Sequence, residues 1–164
     1  MKTMIVFVSA LLFCIHGQAQ LKTSVQCPDL TIDLLGGTVN KNILPNSTAG
    51  QIKFNIPCFT SFKEDSTLTG CGGNVMYKDK DVYFYTGRDY IEIGPAFKGT
   101  LSIPLMGAAR NSLFKLLGAP QIKDVSWDAF QTQYGVLILY YDKEDKINKI
   151  QFSTQTANTI RLCE

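Results

Sequence analysis

The cysteines of this 164-residue chain constrain its fold more than any other feature, because each disulfide would tie two distant positions together. Cys14 lies in an apolar N-terminal run, and Cys27, Cys58, Cys71 and Cys163 follow it. No two of them have the Cys-x-x-Cys spacing of a zinc site or a thioredoxin-like redox centre. The four later cysteines therefore predict two disulfides, formed in an oxidising compartment. Three pairings are possible; we favour Cys58–Cys71, which closes a short loop, and Cys27–Cys163, which ties the two ends of the domain together.

Residues 1–19 have the pattern of a secretory signal peptide. Lys2 supplies the positive start, and an apolar run extends from Met4 to Ile15. Gly17 and Ala19 are small residues at the −3 and −1 positions of a cleavage site. The apolar run is too short to span a bilayer, and no later apolar run is longer. We therefore predict one disulfide-linked domain over residues 20–164, periplasmic or secreted, with no transmembrane segment once the signal is removed.

The single histidine of the chain, His16, lies inside this leader. The mature domain would then have no histidine, which excludes Ser-His-Asp and Cys-His catalysis and histidine-bearing zinc sites. The glycine-rich segments match no phosphate-binding motif. We therefore predict a protein that is not an enzyme and that uses no cofactor or metal. The formal net charge of +2 indicates no basic patch, so we predict no nucleic-acid partner.

The hydrophobic pattern predicts an α+β fold made mostly of antiparallel sheet. Segments 30–34, 52–56, 75–77, 82–85 and 90–93 have the pattern of strands, and 101–103 is either a short strand or the approach to a helix. Leucines at helical spacing predict a helix over about residues 108–117, ended by Gly118 and Pro120. A β-hairpin follows at about 134–152, with strands 134–141 and 147–152 around an Asp- and Lys-rich turn.

The helix, its Gly-x-Pro end and the hairpin carry a resemblance to a known family. Residues 107–120 (GAARNSLFKLLGAP) match a G-x-x-x-x-x-(apolar)-x-x-x-L-G-x-P pattern, and the hairpin with its charged turn comes after them. Residues 101–153 thereby resemble the module of the SmpA/OmlA outer-membrane assembly lipoproteins and of β-lactamase inhibitory protein. This resemblance implies a helix packed on a small antiparallel sheet and a function in binding other proteins. The whole chain also looks like small exported proteins of Gram-negative bacteria, some of which are immunity proteins.

Tyrosines are the best candidates for a binding surface in this sequence. Tyr83 and Tyr85 share one face of the predicted strand 82–85, so they form an exposed stripe if its other face turns to the core. Tyr77 and Tyr90 would extend that stripe, and Trp127, in a loop after the helix, is a further binding candidate. Tyrosine is enriched at protein interfaces because it offers a large, stiff and amphipathic contact area. The alternative is a second packing layer covered by a loop or by the N-terminal strands.

Asp124 and Asp128 flank Trp127 and suggest a different function. Two carboxylates beside a sugar-stacking tryptophan are typical of glycoside hydrolysis. A plainer interpretation places Trp127 on the core and lets Asp128 cap a turn.

The sequence thus supports two hypotheses about function. We favour an exported protein-binding module with a protein partner of unknown identity, of which an immunity or inhibitor protein in the periplasm is the sharpest form. The alternative is a carboxylate-dependent hydrolase that acts on cell-envelope glycans.

Overall fold

The computed structural model describes residues 26–64 and 71–163. The predicted leader, with Cys14 and His16, therefore lies outside the described residues. In chain order the elements are β1 (Thr31–Asp33), β2 (Thr38–Val39), α1 (Ala49–Asn55), β3 (Ser61–Lys63), β4 (Asn74–Tyr77), β5 (Val82–Tyr85), β6 (Tyr90–Ile93), β7 (Thr100–Leu101), a 3-10 helix (Arg110–Ser112), α2 (Phe114–Leu117), β8 (Ile122–Lys123), β9 (Trp127–Gln131), β10 (Val136–Tyr141) and β11 (Ile147–Ser153).

Two sheets hold these strands. The large sheet has the order β3-β4-β5-β6-β11-β10-β9-β8, and every neighbouring pair in it is antiparallel. The small sheet has the order β2-β1-β7, in which β1 is antiparallel to β2 and parallel to β7. Strands account for 34% of the structure and helices for 11%. The prediction of a mostly antiparallel sheet is confirmed, whereas the fold is mainly β and the α+β label fits it only loosely.

The strands predicted around the central hairpin are also confirmed. β4, β5 and β6 coincide with the predicted segments 75–77, 82–85 and 90–93 to within one residue. β10 and β11 form the predicted hairpin, with Leu139 paired to Ile150 near its middle. The segment 101–103 contributes only the end of the two-residue strand β7. Neither described range contains a helix of the length and apolar character that crossing a bilayer requires.

The continuous helix predicted over 108–117 is wrong in its first half. The backbone there pairs with the turn of the hairpin: Arg110 N donates to Asp145 O, and Ile147 N donates to Ala108 O. This pairing holds Ala109 in an extended conformation, so only a 3-10 turn and the single helical turn α2 remain. Gly118 ends α2 as predicted, with a positive φ of 77° that favours glycine.

The strand predicted over 52–56 is a helix, α1. Its start is a capping box, in which the Thr48 side chain accepts a hydrogen bond from Gln51 N and Gln51 Oε1 accepts one from Thr48 N. Ile52 and Ile56 are four residues apart, so one helix face buries both, while Phe54 on the other side is 87% exposed. Ile52 and Ile56, the outer two residues of the alternation that suggested a strand, also have helical spacing, and the cap decides between the two structures.

The large sheet has one face on the main core, and we call its opposite side the outer face. The core-facing row across seven strands contains Phe62, Val75, Phe84, Ile91, Phe152, Leu137 and Phe130. The small sheet and α1 cover this side, and their apolar residues belong to the same buried cluster. Residues 154–163 cross part of the outer face, where Ala157, Ile160 and Leu162 pack on a second, smaller cluster.

The disulfides are present, but the favoured pairing is wrong. Cys27 bonds to Cys58 and Cys71 bonds to Cys163, with Cα atoms 5.6 Å and 5.4 Å apart. The register of β3 with β4 places Ser61 opposite Met76. Cys58 and Cys71 therefore lie at opposite ends of this strand pair, and their closeness in sequence does not bring them together.

Candidate functional site

The outer face of the large sheet brings together most of the tyrosines that the sequence singled out. Strand register places one row of outer-face side chains across all eight strands. In order from β3 to β8 these are Ser61, Met76, Tyr83, Glu92, Gln151, Ile138, Ala129 and Ile122. The row has aromatic and polar residues on β5, β6 and β11 and apolar residues on β10, β9 and β8, where the C-terminal segment lies over the sheet.

The part of this face that extends from β4 to Tyr140 on β10 contains several half-exposed side chains, and we call these the tyrosine surface. Its members are Met76, Tyr83, Tyr85, Glu92, Tyr140 and Lys149, all of intermediate exposure. Val82 and Phe84, the other residues of strand 82–85, are buried on the core side of the sheet. Tyr83 and Tyr85 therefore do lie together on the side away from the core, each partly covered rather than fully exposed.

A chain of polar contacts fixes the side chains of the tyrosine surface. Tyr140 Oη donates to Gln151 Oε1 at 2.8 Å, and Gln151 Nε2 donates to Glu92 Oε2 at 2.6 Å. Lys149 Nζ lies 3.8 Å from Glu92 Oε2 and 4.0 Å from the centroid of the Tyr140 ring. These contacts join side chains on three adjacent strands. Because the side chains are already ordered, binding at this surface would cost little side-chain entropy.

Tyr83 and Tyr85 are each held by a neighbour of their own. Tyr83 Oη donates to Asp81 Oδ1 at 2.9 Å. Partial burial, together with this hydrogen bond and the charge of Asp81, raises the pKa of Tyr83 to about 12. Tyr85 stacks on Tyr90 with ring centroids 4.4 Å apart and planes 17° from parallel. Both phenols are therefore neutral at physiological pH and can donate or accept hydrogen bonds.

Tyr77 and Tyr90 are not part of an exposed stripe, which corrects the prediction. Tyr77 lies on the core face of β4, where its Oη donates to Ile56 O and its ring packs edge-on against Phe84. Tyr90 does lie on the outer face, but the end of the C-terminal segment covers it, and its Oη accepts a hydrogen bond from Cys163 N at 3.2 Å. Both side chains are buried.

Trp127 lies in strand β9 and not in a loop. It pairs with Tyr140 on β10, and both half-buried rings point to the outer face. The register thus places Trp127 at the far end of the tyrosine surface, next to the apolar part of the same face. The sequence did not reveal this position, because a five-residue strand flanked by polar turns has the same local pattern as a loop.

The two candidate catalytic aspartates have different environments. Asp128 is buried on the core side of β9, where Arg110 Nε and Nη2 donate to its two carboxylate oxygens and Tyr141 Oη donates to Oδ2 at 2.8 Å. Asp124 is exposed, and its carboxylate accepts a 3.4 Å hydrogen bond from Ser126 N. The sequence missed Arg110, whose position inside a predicted helix gave no sign that it would reach Asp128.

A cavity of about 490 Å³ opens beside this ion pair. Phe114 and Phe130 form apolar walls, and Asp145 lies near the hairpin turn. Arg110 also donates to the carbonyl oxygens of Val125 and Asp124, at 3.0 Å and 2.6 Å. The guanidinium is therefore engaged with the protein itself, and its clearest effect is to hold the loop before β9 against the core.

The chain matches no protein-family model, and neither a curated protein nor a solved structure is significantly similar to it.

Proposed function

We propose that this chain is an exported protein-binding module and that it binds its partner through the tyrosine surface. In its most specific form, the proposal is that the chain is an immunity or inhibitor protein of the periplasm. The observation that carries it is the array of half-exposed Tyr83, Tyr85 and Tyr140 on one side of an antiparallel sheet, each held by a hydrogen bond or a ring stack. The resemblance of residues 101–153 to protein-binding modules favours the same function.

The energetics of recognition support this surface. Tyrosine contributes a large contact area at a low cost in conformational entropy, because only two side-chain torsions have to be fixed. Here the stacked Tyr90 and the hydrogen bond to Asp81 already restrict those torsions. Glu92 and Lys149 place opposite charges between the rings, which would favour one orientation of a complementary partner.

Export is supported by the two disulfides, which are typical of oxidising compartments such as the periplasm. Such cross-links also stabilise a small domain, because they restrict its unfolded chain. The predicted signal peptide is the independent sequence argument for the same compartment.

The alternative hydrolase gains no support from the geometry. A general acid or base must exchange a proton with substrate or water. Both carboxylate oxygens of Asp128 already accept hydrogen bonds from Arg110 or Tyr141, and Asp124 lies in an exposed loop. The protein-binding proposal therefore accounts for more of the structure.

The test is affinity capture from a periplasmic extract with the exported protein as bait. We expect Tyr83→Ala/Tyr85→Ala to lose a partner that the unmodified protein retains. Phe54→Ala is the matched control, since it removes an aromatic ring that is 87% exposed on α1, on the other side of the large sheet. Equal recovery of every captured protein by the tyrosine variant and the control would overturn the proposal.

A further inference from the structure

An apolar groove lies on the outer face where the C-terminal segment passes over β8, β9 and β10. Its volume is about 270 Å³. Ile138 and Ala129 form its floor, and Ala157, Ile160 and Leu162 of the C-terminal segment form one wall. A turn in which Thr159 N and Ile160 N both donate to Thr156 O holds that wall in place.

The groove suits an uncharged, ring-sized group. Its lining side chains are aliphatic or aromatic and none carries a charge, while the Tyr140 hydroxyl and the Trp127 indole N–H are polar groups among them. An apolar cavity of about 150 Å³ is already large enough to bind benzene, so this groove has room for a larger aromatic group. Trp127 and Tyr140 lie at its edge, where their rings can contact a third ring at the offset or edge-on angles that aromatic pairs prefer.

The groove is continuous with the tyrosine surface. Tyr140 belongs to both, because its ring lines the groove while its hydroxyl group donates to Gln151. Four strand spacings separate Tyr83 on β5 from Trp127 on β9, which is about 19 Å. A protein interface of standard size covers about 800 Å² on each partner and is thus about 30 Å across, so one partner can reach both.

We propose that this groove binds one aromatic side chain of the polypeptide that binds the tyrosine surface. The proposal rests on the proposed function and names the chemistry of the partner: a polypeptide that presents a phenylalanine or tryptophan beside its contact with Tyr83 and Tyr85. Such a side chain, buried near the middle of an interface, is typical of the residues that contribute most to binding.

The chain provides its own reporter for this site, because Trp127 is its single tryptophan. We expect N-acetyl-L-phenylalanine amide, added to the whole exported protein, to shift the emission of Trp127 to shorter wavelength. The shift should saturate with a midpoint of about 1 mM, an affinity typical of so small a ligand. N-acetyl-L-lysine amide at the same concentrations should produce no saturable shift.

Variants identify the groove as the place of binding. Ala157→Phe fills the groove with a ring of the protein's own and should abolish the shift, whereas Ala96→Phe adds the same ring at an exposed position and should retain it. Leu162→Ala removes part of the wall without adding bulk and should weaken binding several-fold, which keeps the test valid if Ala157→Phe does not fold. Absence of a saturable shift, or an equal shift in Ala157→Phe and Ala96→Phe when both are folded, would overturn the proposal.

Further measurements distinguish failure of the groove proposal from failure of the proposed function. If octanoate binds at least tenfold more tightly than the phenylalanine derivative, the groove is a site for an acyl chain and the proposal is wrong. Tyr83→Ala/Tyr85→Ala should leave binding of the probe unchanged, so loss of the proposed function does not affect this measurement. If Ala157→Phe captures the partner as well as Ala96→Phe does, the groove proposal fails while the tyrosine surface stands.

Discussion

Arg110 joins a loop, a strand and the edge of the core through its guanidinium group. It donates to both carboxylate oxygens of Asp128 and to the carbonyl oxygens of Asp124 and Val125. Its guanidinium carbon also lies 4.6 Å from the centroid of the Tyr141 ring. Because the side chains of Arg110 and Asp128 are only 18% and 5% exposed, loss of either partner would leave a charge with little water to solvate it.

We therefore predict that Asp128→Ala lowers the free energy of unfolding by about 3 kcal/mol, since it leaves the guanidinium group without the carboxylate that balances its charge. Asp124→Ala, which removes an exposed carboxylate of the same loop region, should change it by no more than about 0.5 kcal/mol. Urea unfolding followed by circular dichroism measures both. Similar losses for the two variants would contradict a structural function specific to Asp128.

Tyr83 makes the stability of the protein depend on pH in the alkaline range. Its pKa is raised from 10.0 to about 12, so the folded state holds the phenolic proton after the unfolded state has lost it. The contribution to stability is therefore complete below pH 10 and is lost as the pH rises towards 12. Burial also raises the pKa of Tyr85, mainly by removing its ring from water.

We predict that the free energy of unfolding falls between pH 10 and 12 and that it falls less steeply in Tyr83→Phe, which has no phenol to ionise at this position. Urea titrations at a series of pH values give the two slopes. Identical slopes for the variant and the unmodified protein would show that the environment of Tyr83 does not favour its neutral form.

At the scale of elements, the cap of α1 decides between a helix and a strand for residues 49–55. Thr48 and Gln51 satisfy each other's backbone N–H groups at the start of the helix. We predict that Thr48→Ala lowers the free energy of unfolding by about 1 kcal/mol, because it removes an N-cap hydroxyl group. Thr48→Ser retains that group and should stay within about 0.5 kcal/mol of the unmodified protein. Equal destabilisation by the two substitutions in thermal or urea unfolding would argue against the capping box.

The sequence pattern predicted those elements whose burial can be inferred from the residues of a single strand. β5 has buried Val82 and Phe84 alternating with half-exposed Tyr83 and Tyr85, and this alternation is visible in the sequence. The first half of the helix predicted over 108–117 fails for the opposite reason: Ala109 pairs with Lys146 of the hairpin turn, which lies 37 positions further along the chain. Propensity and spacing contain no information about such a pairing.

The candidate site likewise has a part that the sequence predicts and a part that it does not. The two tyrosines of β5 were predictable because one strand holds both. Glu92, Gln151 and Tyr140 join them only because β6 pairs with β11 and β11 with β10. The register between β6 and β11 joins residues about 59 positions apart, and it depends on how the whole core packs.

At the scale of the whole molecule, the two disulfides act on different regions. Cys27–Cys58 joins the chain before β1 to the chain before β3, with a sequence separation of 31. Cys71–Cys163 fixes the end of the C-terminal segment, with a separation of 92. Only the second bond lies at the end of the segment that forms the wall of the apolar groove next to Trp127.

We predict that Cys71→Ala/Cys163→Ala loosens this wall and makes Trp127 more accessible to acrylamide, whereas Cys27→Ala/Cys58→Ala leaves quenching unchanged. Each double substitution should cost about 4 kcal/mol of stability, because it removes a cross-link that restricts the unfolded chain. The comparison is therefore made under conditions in which both variants are folded. Equal quenching in the two variants would contradict the assignment of the groove wall to the Cys163 end.

The proposal that the tyrosine surface binds a protein partner is tested most directly by photo-crosslinking in the cell. p-Benzoylphenylalanine is incorporated in place of Tyr83 or, in the control, of the 87% exposed Phe54. The proposal predicts that irradiation yields a discrete cross-linked protein from position 83 and none of that mass from position 54. The same product from both positions, or a product from position 54 alone, would contradict it.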